Sequence, residues 1–416
     1  MTDPTNTSAN RGWTVTFAGL GINLALGVLY AWSMFKDAIT KEFVNDKVGW
    51  KASSLNDPYT LCCLVFAGAM IVAGRCQDKL GPRVTATIGG LLIGAGMMLI
   101  STTTSFTMWM LGFGVLGGLG MGFGYSSATP PALKWFPPAK TGLIAGLVVA
   151  GFGLAPVYLA PLSKYLVTNF QLQKSMLYLG SAFLVVIVAL SQLLKNPPAG
   201  YIAGGASAGS KPAATGLAPA EIIRTPSFWI LWLIYFAGAG AGLMVISSIS
   251  GMAKTTMKES AFIAVAVMAI GNAGGRICAG LLSDKIGRRW TLMLVLLFQA
   301  ALMFVAIPVT KSTDGAKYVI VLVASLIGFN YGANLSLFPS FAKDLWGLKN
   351  FGMNYGILFT AWGAGSLLSS VSARLYEASK NAAGVKSYAS SFQTAATLLI
   401  AGAALTFLIK PPQKAA

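Results

Sequence analysis

The ten residues GRCQDKLGPR at positions 74–83 recur as GLLSDKIGRR at positions 280–289, which is 206 residues further along the chain. Each copy follows an apolar stretch and contains a glycine, an Asp-Lys pair, a second glycine and a closing arginine. At the same spacing, GFGY at 122–125 is matched by GFNY at 328–331. Two different motifs repeated at one offset indicate that the chain is an internal duplication.

The composition indicates that the duplicated halves lie in a membrane. Of the 416 residues, 55% are hydrophobic and 10% are charged, whereas an ordinary soluble domain carries roughly 25% charged residues. The mean hydropathy is +0.68. A crossing helix needs roughly 20 mostly apolar residues. Apolar runs predict helices near 13–35, 57–74, 84–101, 106–126, 141–163, 176–194, 227–249, 260–280, 290–309, 317–340, 350–371 and 389–409. We therefore expect an all-α membrane protein with twelve transmembrane helices in two pseudo-symmetric six-helix bundles.

A segment rich in Gly, Ala, Ser and Pro separates the sixth predicted helix from the seventh. This composition is typical of a flexible linker. It divides the chain into an N-terminal bundle at 1–195, a cytoplasmic linker at 196–226 and a C-terminal bundle at 227–416. The first residues lack the basic segment and apolar core of a signal peptide, so the first helix is expected to be retained. Basic residues are only weakly biased toward one side, and the even helix count favours two cytoplasmic termini.

The charge and the absent residue types exclude several classes of function. The net charge is +18, but the basic residues are scattered singly between apolar stretches, which favours anchoring at the membrane surface over nucleic-acid binding. The chain has no histidine, and its four cysteines have no metal-like or disulfide-like spacing. We therefore expect no metal and no cofactor. An integral-membrane enzyme is disfavoured because no acid–base pair or metal is predicted at membrane depth.

A single ionisable residue, Arg276, falls well inside an apolar run, AVAVMAIGNAGGRICAGLL. A charged arginine at mid-membrane costs at least roughly 2.5–3.5 kcal/mol, and all 12 acidic residues fall in loops or at helix ends, with Asp57 and Glu259 nearest the membrane interior. The simplest counter-ion is an anionic substrate that arrives from solution, because a guanidinium binds a carboxylate through two hydrogen bonds. Alternatively, Arg276 extends toward the nearby helix end and acts as an anchor.

Further candidate substrate residues are polar or aromatic groups on predicted helices. Asn272 lies four residues before Arg276, on the same helix face. Tyr125 and Tyr331 occupy matching places in the two halves, although aromatic residues of this kind also serve in packing or at the membrane interface. Apolar walls are expected from residues on the first and eleventh helices, namely Leu29, Phe359 and Trp362. Core packing is the alternative for the aromatic stripe that includes Phe359 and Trp362.

The two repeated loops resemble the signature of the major facilitator superfamily, which reads G-x-x-x-D-[RK]-x-G-R-[RK]. The matching positions are Gly74, Asp78, Gly81 and Arg83 in the first copy and Gly280, Asp284, Gly287 and Arg288 in the second. The first copy departs from the signature at Pro82. The aspartates are suited to accept hydrogen bonds from the N-terminus of a neighbouring helix. The resemblance implies alternating access by two rocking bundles, with the signature loops inside the cell.

Several stretches further resemble the oxalate/formate-antiporter branch, which is similar to the monocarboxylate transporters. These stretches are GVLYAWSMF in helix 1, NAGGR in helix 8, LFPS in helix 10 and NYG at 354–356. The resemblance implies transport of small carboxylates, with Arg276 as the substrate-binding arginine. Oxalate carriers of the branch have a lysine where Trp362 stands here, and monocarboxylate carriers have an aspartate where Asn272 stands. One cation suits one carboxylate, whereas an amide cannot carry the coupled proton.

These features predict a secondary active transporter that carries a small, lactate-like monocarboxylate across the inner membrane with a proton. The proton would travel on the substrate or on a carboxylate near a loop, such as Asp57. The alternative is an oxalate/formate-type antiporter, and a membrane sensor that binds an anion without moving it also stays open. The expected partners are the substrate, the proton and the lipid bilayer, and the carrier is expected to work as a monomer.

Overall fold

The computed structural model of the protein is a bundle of long helices. It describes residues 4–44, 48–51, 54–198, 201, 216–257, 261–309, 316–379 and 387–409. Within these residues, 11 helical segments are long and apolar enough to cross a membrane. The segment 138–191 has 54 residues, more than twice the length of one crossing. It contains two crossings, so the twelve predicted crossings are accounted for.

The N-terminal half contains six membrane helices. Helix α1 begins as Pro4–Leu26 and continues through a 3₁₀ turn, Gly27–Ala31, into Trp32–Phe43. Helices α2 and α3 are Asp57–Leu80 and Pro82–Ser101. Helix α4 begins at Phe106–Trp109, widens into a π-helical stretch and ends as Gly118–Trp135. Helices α5 and α6 are 141–170 and 172–191 within the continuous segment Thr141–Ser191.

The long segment reverses direction at Gln171, whose φ is +65° and whose ψ is 167°. Both ends of the segment lie at the same side of the bundle. The hydroxyl of Ser191 is 2.8 Å from that of Thr87 at the start of α3, and Gly142 contacts the helix end that carries the second repeated loop. The sequence predicted two helices here, and they are present as two crossings joined by this tight reversal.

The C-terminal half also contains six membrane helices. They are α7 at Pro226–Met257, α8 at Ala261–Ile286, α9 at Arg288–Val309, α10 at Ala316–Trp346, α11 at Phe351–Ser366, which continues as Leu368–Ala378, and α12 at Ala389–Leu405. Most of the predicted linker 196–226 and residue Glu259 lie outside the described residues. The predicted starts and ends of helices differ from the observed ones mainly at the loops, where helices extend beyond their apolar runs.

Glycines allow the two halves to approach closely along two helix pairs. A methyl group on Gly74 of α2 would overlap the backbone of Gly352 in α11, and one on Gly142 of α5 would overlap Gly280 in α8. One helical turn further in, Gly356 meets the backbone of Met70, and Gly146 meets that of Arg276. Small residues allow such close crossing in membranes. The pairs α2/α11 and α5/α8 therefore make equivalent contacts.

The two repeated aspartates fasten these pairs at the end of the molecule that carries the repeated loops, here called the loop end. Asp78 accepts hydrogen bonds of 3.0 Å from the backbone N–H groups of Gly352 and Met353 at the start of α11. Asp284 accepts bonds of 2.9 and 3.0 Å from Gly142 and Leu143 at the start of α5. A carboxylate at a helix N-terminus neutralises unpaired N–H groups and the positive end of the helix dipole. The two halves are thus closed against each other at the loop end.

The second fastening is the more elaborate of the two. Arg288 forms ion pairs of 2.5 Å with Asp284 and 2.9 Å with Asp344. In the first copy, proline occupies the position of Arg288, and Arg83 instead donates a 3.1 Å hydrogen bond to the carbonyl of Leu194. The departure of the first copy from the signature therefore has a local structural result: its aspartate lacks the arginine partner that Asp284 has.

Candidate substrate site

Arg276 lies on α8 at the contact between the two halves, and its side chain is fully buried. Its Nε donates a 2.9 Å hydrogen bond to Oδ1 of Asn272, one turn earlier on the same helix. Its Nη1 donates to the carbonyl oxygen of Val149 on α5, in the other half. The guanidinium is therefore held by a neutral amide and a backbone carbonyl, and it does not extend to the membrane surface as an anchor would.

The second terminal nitrogen of Arg276, Nη2, is buried and has no hydrogen-bond partner. Six acidic side chains are described, and none forms an ion pair with Arg276: Glu42, Asp57, Asp78, Glu221, Asp284 and Asp344. A buried, uncompensated charge is costly unless it is paired. The arrangement thus presents a positive charge and a free donor at the centre of the protein, which is the chemistry that an anion requires.

Glycines on the neighbouring helices α5 and α10 leave room for the side chains of Arg276 and Asn272. A methyl group on Gly153 of α5 would lie 2.9 Å from Oδ1 of Asn272 and 3.2 Å from Nε of Arg276. A methyl group on Gly332 of α10 would lie 2.7 Å from the same amide oxygen. Contacts this short require the neighbours to move, so glycine at both positions allows the guanidinium and the amide to lie between α5 and α10.

A chain of hydrogen bonds crosses from the first half to the second beside this site. The hydroxyl of Tyr30 on α1 is 3.0 Å from the hydroxyl of Tyr331 on α10. Nε1 of Trp362 on α11 donates a 2.8 Å hydrogen bond to the same Tyr331 hydroxyl. Two of the predicted residues, Tyr331 and Trp362, are thus directly bonded, and the partner that links them to α1 is Tyr30.

Aromatic rings from four helices form the apolar part of the centre. Phe66 on α2 lies 5.1 Å from Phe359 and 5.5 Å from Trp362, measured between ring centroids. Tyr125 on α4 lies 5.5 Å from Phe359 and 5.6 Å from Phe152, which belongs to α5. Such spacing is that of directly interacting rings. Tyr125, Phe359 and Trp362 therefore belong to one aromatic cluster. This packing fits both an apolar wall and the core-packing alternative for Phe359 and Trp362.

The charge of Arg276 reaches several tyrosines of this cluster. Tyr30, Tyr125 and Tyr235 lie within electrostatic range of the guanidinium. Tyr125 and Tyr235 also lie near Tyr355, and the buried hydroxyls of Tyr235 and Tyr355 have no hydrogen bond of ordinary length. Phenol hydroxyls both donate and accept. The centre thus combines one cation, free hydroxyls and aromatic faces.

The predicted residues divide into those that this centre contains and those that lie beside it. Arg276, Asn272, Tyr125, Tyr331, Phe359 and Trp362 are all buried and lie in the centre. Leu29 is fully buried in the 3₁₀ turn of α1, where its neighbour Tyr30 contacts the ring of Phe152. The amide of Asn334 bonds to Gln299 on α9, at 3.1 Å. This contact links α10 to α9 within the C-terminal half.

Sequence reasoning missed Phe66, Phe152 and Tyr235 as members of the centre. Each lies in a run of apolar residues, where one aromatic looks like any other packing residue. The repeat held a partial signal, because Phe66 and Met70 precede the first loop by the same spacings as Asn272 and Arg276 precede the second. Comparing the two halves position by position identifies Phe66, whereas Phe152 and Tyr235 required the fold.

The sequence profile of the Major Facilitator Superfamily matches residues 13–370, and the chain belongs to this family. A solved structure of the proton:xylose symporter XylE superimposes with a TM-score of 0.75 at 12% identity, covering 97% of each chain. At that identity the likeness concerns the fold alone. The twelve-crossing architecture with two pseudo-symmetric bundles, inferred from the repeat, is confirmed.

Three relatives share most of the chain's length. The uncharacterized MFS-type transporter YhjX of Escherichia coli is 29% identical and covers 88% of both chains. The oxalate:formate antiporter of Oxalobacter formigenes is 26% identical, covering 86% of this chain and 83% of its own. The apicoplast pyruvate carrier 1 of Toxoplasma gondii is 25% identical, covering 87% and 84%. The chain is therefore a multi-pass membrane protein and a secondary transporter, not an enzyme.

Proposed function

We propose that the chain carries a small, lactate-like monocarboxylate with a proton by alternating access. The observation that carries this proposal is the free Nη2 of a fully buried Arg276 for which no described side chain is a counter-ion. The names of two relatives, an oxalate:formate antiporter and a pyruvate carrier, support a small carboxylate as the class of substrate. A neutral substrate would leave the buried charge unpaired.

The contacts around Arg276 suggest how a monocarboxylate would lie. Its carboxylate would bind Nη2, and Asn272, which fixes Nε, would hold the fork in one plane. The hydroxyls of Tyr125 and Tyr331 would add hydrogen bonds to the carboxylate or to a hydroxyl next to it. Phe359 and Trp362 would cover the alkyl part, with Leu29 behind Tyr30. One cation and an aromatic wall suit one carboxylate and a short apolar tail.

Transport would require the halves to rock against each other, residues 1–195 against 227–416. In the present state the halves touch at the loop end, and Arg276 bonds across the interface to Val149. Opening of the loop end would separate α5 from α8 and break this bond. The hydrogen bond between Arg276 and Val149 would therefore be present when the loop end is closed and absent when the loop end is open. The proton would travel on the substrate or on a carboxylate near a loop, such as Asp57 at the start of α2.

We place the loop end and both termini in the cytoplasm and the protein in the inner membrane, working as a monomer. The signature loops support this orientation by resemblance to the family. In that orientation the present contacts close the protein toward the cytoplasm. Single cysteines introduced at Lys285 in the second repeated loop and at Thr102 between α3 and α4, both exposed positions at opposite ends of the protein, give a membrane-sidedness test with an impermeant thiol reagent on sealed vesicles.

The deciding experiment is uptake of labelled lactate into proteoliposomes with and without an inward proton gradient. Accumulation driven by the gradient supports symport. Empty liposomes and unlabelled lactate as competitor are the controls. Neutral sugars of similar size serve as a second competitor series, and competition by a neutral sugar as strong as that by lactate would contradict a carboxylate site.

Exchange of carboxylates is a second candidate, and a specific observation favours it. The residue paired with Arg276 is the amide Asn272, which cannot release a proton. A carrier with an unneutralised buried cation resists reorientation when empty, so it would exchange one anion for another. Uptake that appears only when a carboxylate is present inside the vesicles would support exchange and contradict symport. A dianion such as oxalate would lack a second cation, because Trp362 occupies that position.

A further inference from the structure

A cavity of about 190 Å³ opens at the loop end of the N-terminal half, away from the substrate site. A single water needs only roughly 10–15 Å³ by the same measure, so a larger group fits. Three basic side chains from three different segments line it: Arg11 on α1, Arg83 on α3 and Lys195 after α6. The remaining lining residues are Thr14, Val15, Trp135, Gln192 and Leu193.

Backbone carbonyl groups, not acids, hold the side chain of Arg83 and the main chain at Lys195 in place. Nε of Arg83 donates a 3.1 Å hydrogen bond to the carbonyl of Leu194. Nε1 of Trp135 donates a 2.8 Å hydrogen bond to the carbonyl of Lys195, which follows Leu194 in the chain. Among the described side chains, no carboxylate forms an ion pair with Arg11, Arg83 or Lys195. Three positive charges thus line one opening, and none of the described carboxylates neutralises them.

The matching place in the other half is filled differently. Arg289 occupies the position that corresponds to Arg83 in the duplication. Its guanidinium lies 5.5 Å from the ring centroid of Trp290 and 5.3 Å from that of Phe407, which is the geometry of a cation–π interaction. The C-terminal half thus satisfies its arginine with aromatic rings, whereas the N-terminal half leaves its arginine facing a cavity with two further cations.

The surroundings of the basic cavity are apolar and exposed. Phe17, Val84 and Leu193 are 57%, 46% and 47% exposed, and each lies on the same segment as one of the cations. In a membrane-spanning chain, exposed apolar side chains of this kind face lipid. A ligand that places a negative head in the cavity and acyl chains along these residues would match both parts of the surface.

We propose that this basic cavity is a phosphate-binding site for the headgroup of an anionic phospholipid. Phosphate oxygens would accept hydrogen bonds from the terminal nitrogens of Arg83 and from Arg11 and Lys195. Basic pockets between helices at a membrane surface suit such headgroups. The proposal does not depend on the cargo, because it uses no residue of the Arg276 site.

The test uses the purified full-length protein in an uncharged detergent, titrated with short-chain phosphatidylglycerol, phosphatidylcholine or inorganic phosphate. Native mass spectrometry counts bound lipid, and the melting temperature is read in parallel. The variant is Arg11→Gln with Lys195→Gln, which removes two exposed charges and leaves the Arg83–Leu194 bond intact. The matched control is Lys140→Gln with Arg224→Gln, which removes two exposed charges outside the cavity.

We expect wild type and the control to bind phosphatidylglycerol in preference to phosphatidylcholine, and the cavity variant to bind phosphatidylglycerol about 25-fold more weakly. This value multiplies an expected loss of affinity of about fivefold for each of the two surface cations that the variant removes. Equal affinity in the cavity variant and the control would overturn the site. Binding of inorganic phosphate as tight as that of the lipid would overturn the lipid assignment. The single variant Arg11→Gln, for which we expect an about fivefold loss of affinity, provides the test if the double variant does not fold.

Discussion

The helix pairs α5/α8 and α2/α11 are related by the duplication, yet they differ at the centre of the membrane. In α5/α8 the central residue is Arg276, bonded to Asn272 and to the backbone of Val149. In α2/α11 the corresponding residues are Met70 and Phe66, and Phe66 packs on Phe359 and Trp362. At the loop end both pairs share close glycine contacts and an aspartate bonded to a helix start, and Asp284 has in addition the arginine partner Arg288. The two pairs thus match in position, whereas at the centre of the membrane one is polar and the other aromatic.

This difference gives the centre two unlike sides. A small substrate with a charged head and an apolar tail would lie with its head toward α5/α8 and its tail toward α2/α11. A symmetrical pair of contacts is suited to rocking, because each pair can open and close by the same geometry. The binding chemistry need not be symmetrical, and in this protein the described residues place the cation on one side.

The largest expected effect comes from Arg276→Lys. Lysine keeps the charge but loses the planar fork that bonds Asn272, Val149 and the substrate at once. We expect lactate uptake in proteoliposomes to fall about 10- to 100-fold, the range for losing hydrogen bonds to a charged group. Met70→Leu, at the matching position of the other pair, is the control and is expected to retain uptake. Normal uptake by Arg276→Lys would contradict capture of the carboxylate by a guanidinium that Asn272 and Val149 orient.

The next prediction tests whether a neutral partner is needed to leave the charge of Arg276 available to the substrate. Asn272→Asp would add a carboxylate beside Nε and compete with the substrate for the guanidinium. We expect the KM for lactate to rise about 10-fold at neutral pH. The effect should fade as the pH falls through the pKa of the new carboxyl, because its protonated form no longer neutralises Arg276.

Initial rates of uptake over a range of pH values measure this change. Asn169→Asp adds the same charge at an exposed position, and its KM should follow that of wild type. A pH-independent rise in KM in Asn272→Asp would mean that shape, not charge, causes the effect.

The smallest effect compares the two fastenings at the loop end. Asp284→Asn should slow uptake about fivefold, since Asp284 contacts both the start of α5 and Arg288. Asp78→Asn should slow it about twofold, because no arginine occupies the position of Arg288 in the first copy. These values correspond to helix-terminus interactions of about 0.3–1 kcal/mol. Hydrogen exchange of the backbone amides that the aspartates bind, those of Gly142 and Leu143 at one pair and of Gly352 and Met353 at the other, would report loosening of each pair. Equal loosening in both variants would contradict the asymmetry.

Much of the fold could be predicted from the chain because its signals are local. Apolar runs longer than the membrane is thick define the helices, and the repeated loops show the duplication. The polar residues at 163–175 predicted a break between the fifth and sixth helices. The reversal at the single residue Gln171 could not be predicted, because composition does not show how many residues a turn takes. Arg276 was predicted because charge at membrane depth is rare. Phe66 and Phe152 were not, because aromatic residues are common in apolar helices.

The sequence by itself determined the membrane environment, the twofold repeat, the loops that carry Asp78 and Asp284, and the isolation of Arg276. Each of these depends on composition or spacing along one helix. Only the tertiary structure decided which atoms meet: the carbonyl of Val149 with Nη1, the hydroxyl of Tyr30 with Tyr331, and the helix starts with the two aspartates. These partners lie more than 100 residues apart, and their meeting depends on how glycine-lined helices cross, which no local pattern encodes.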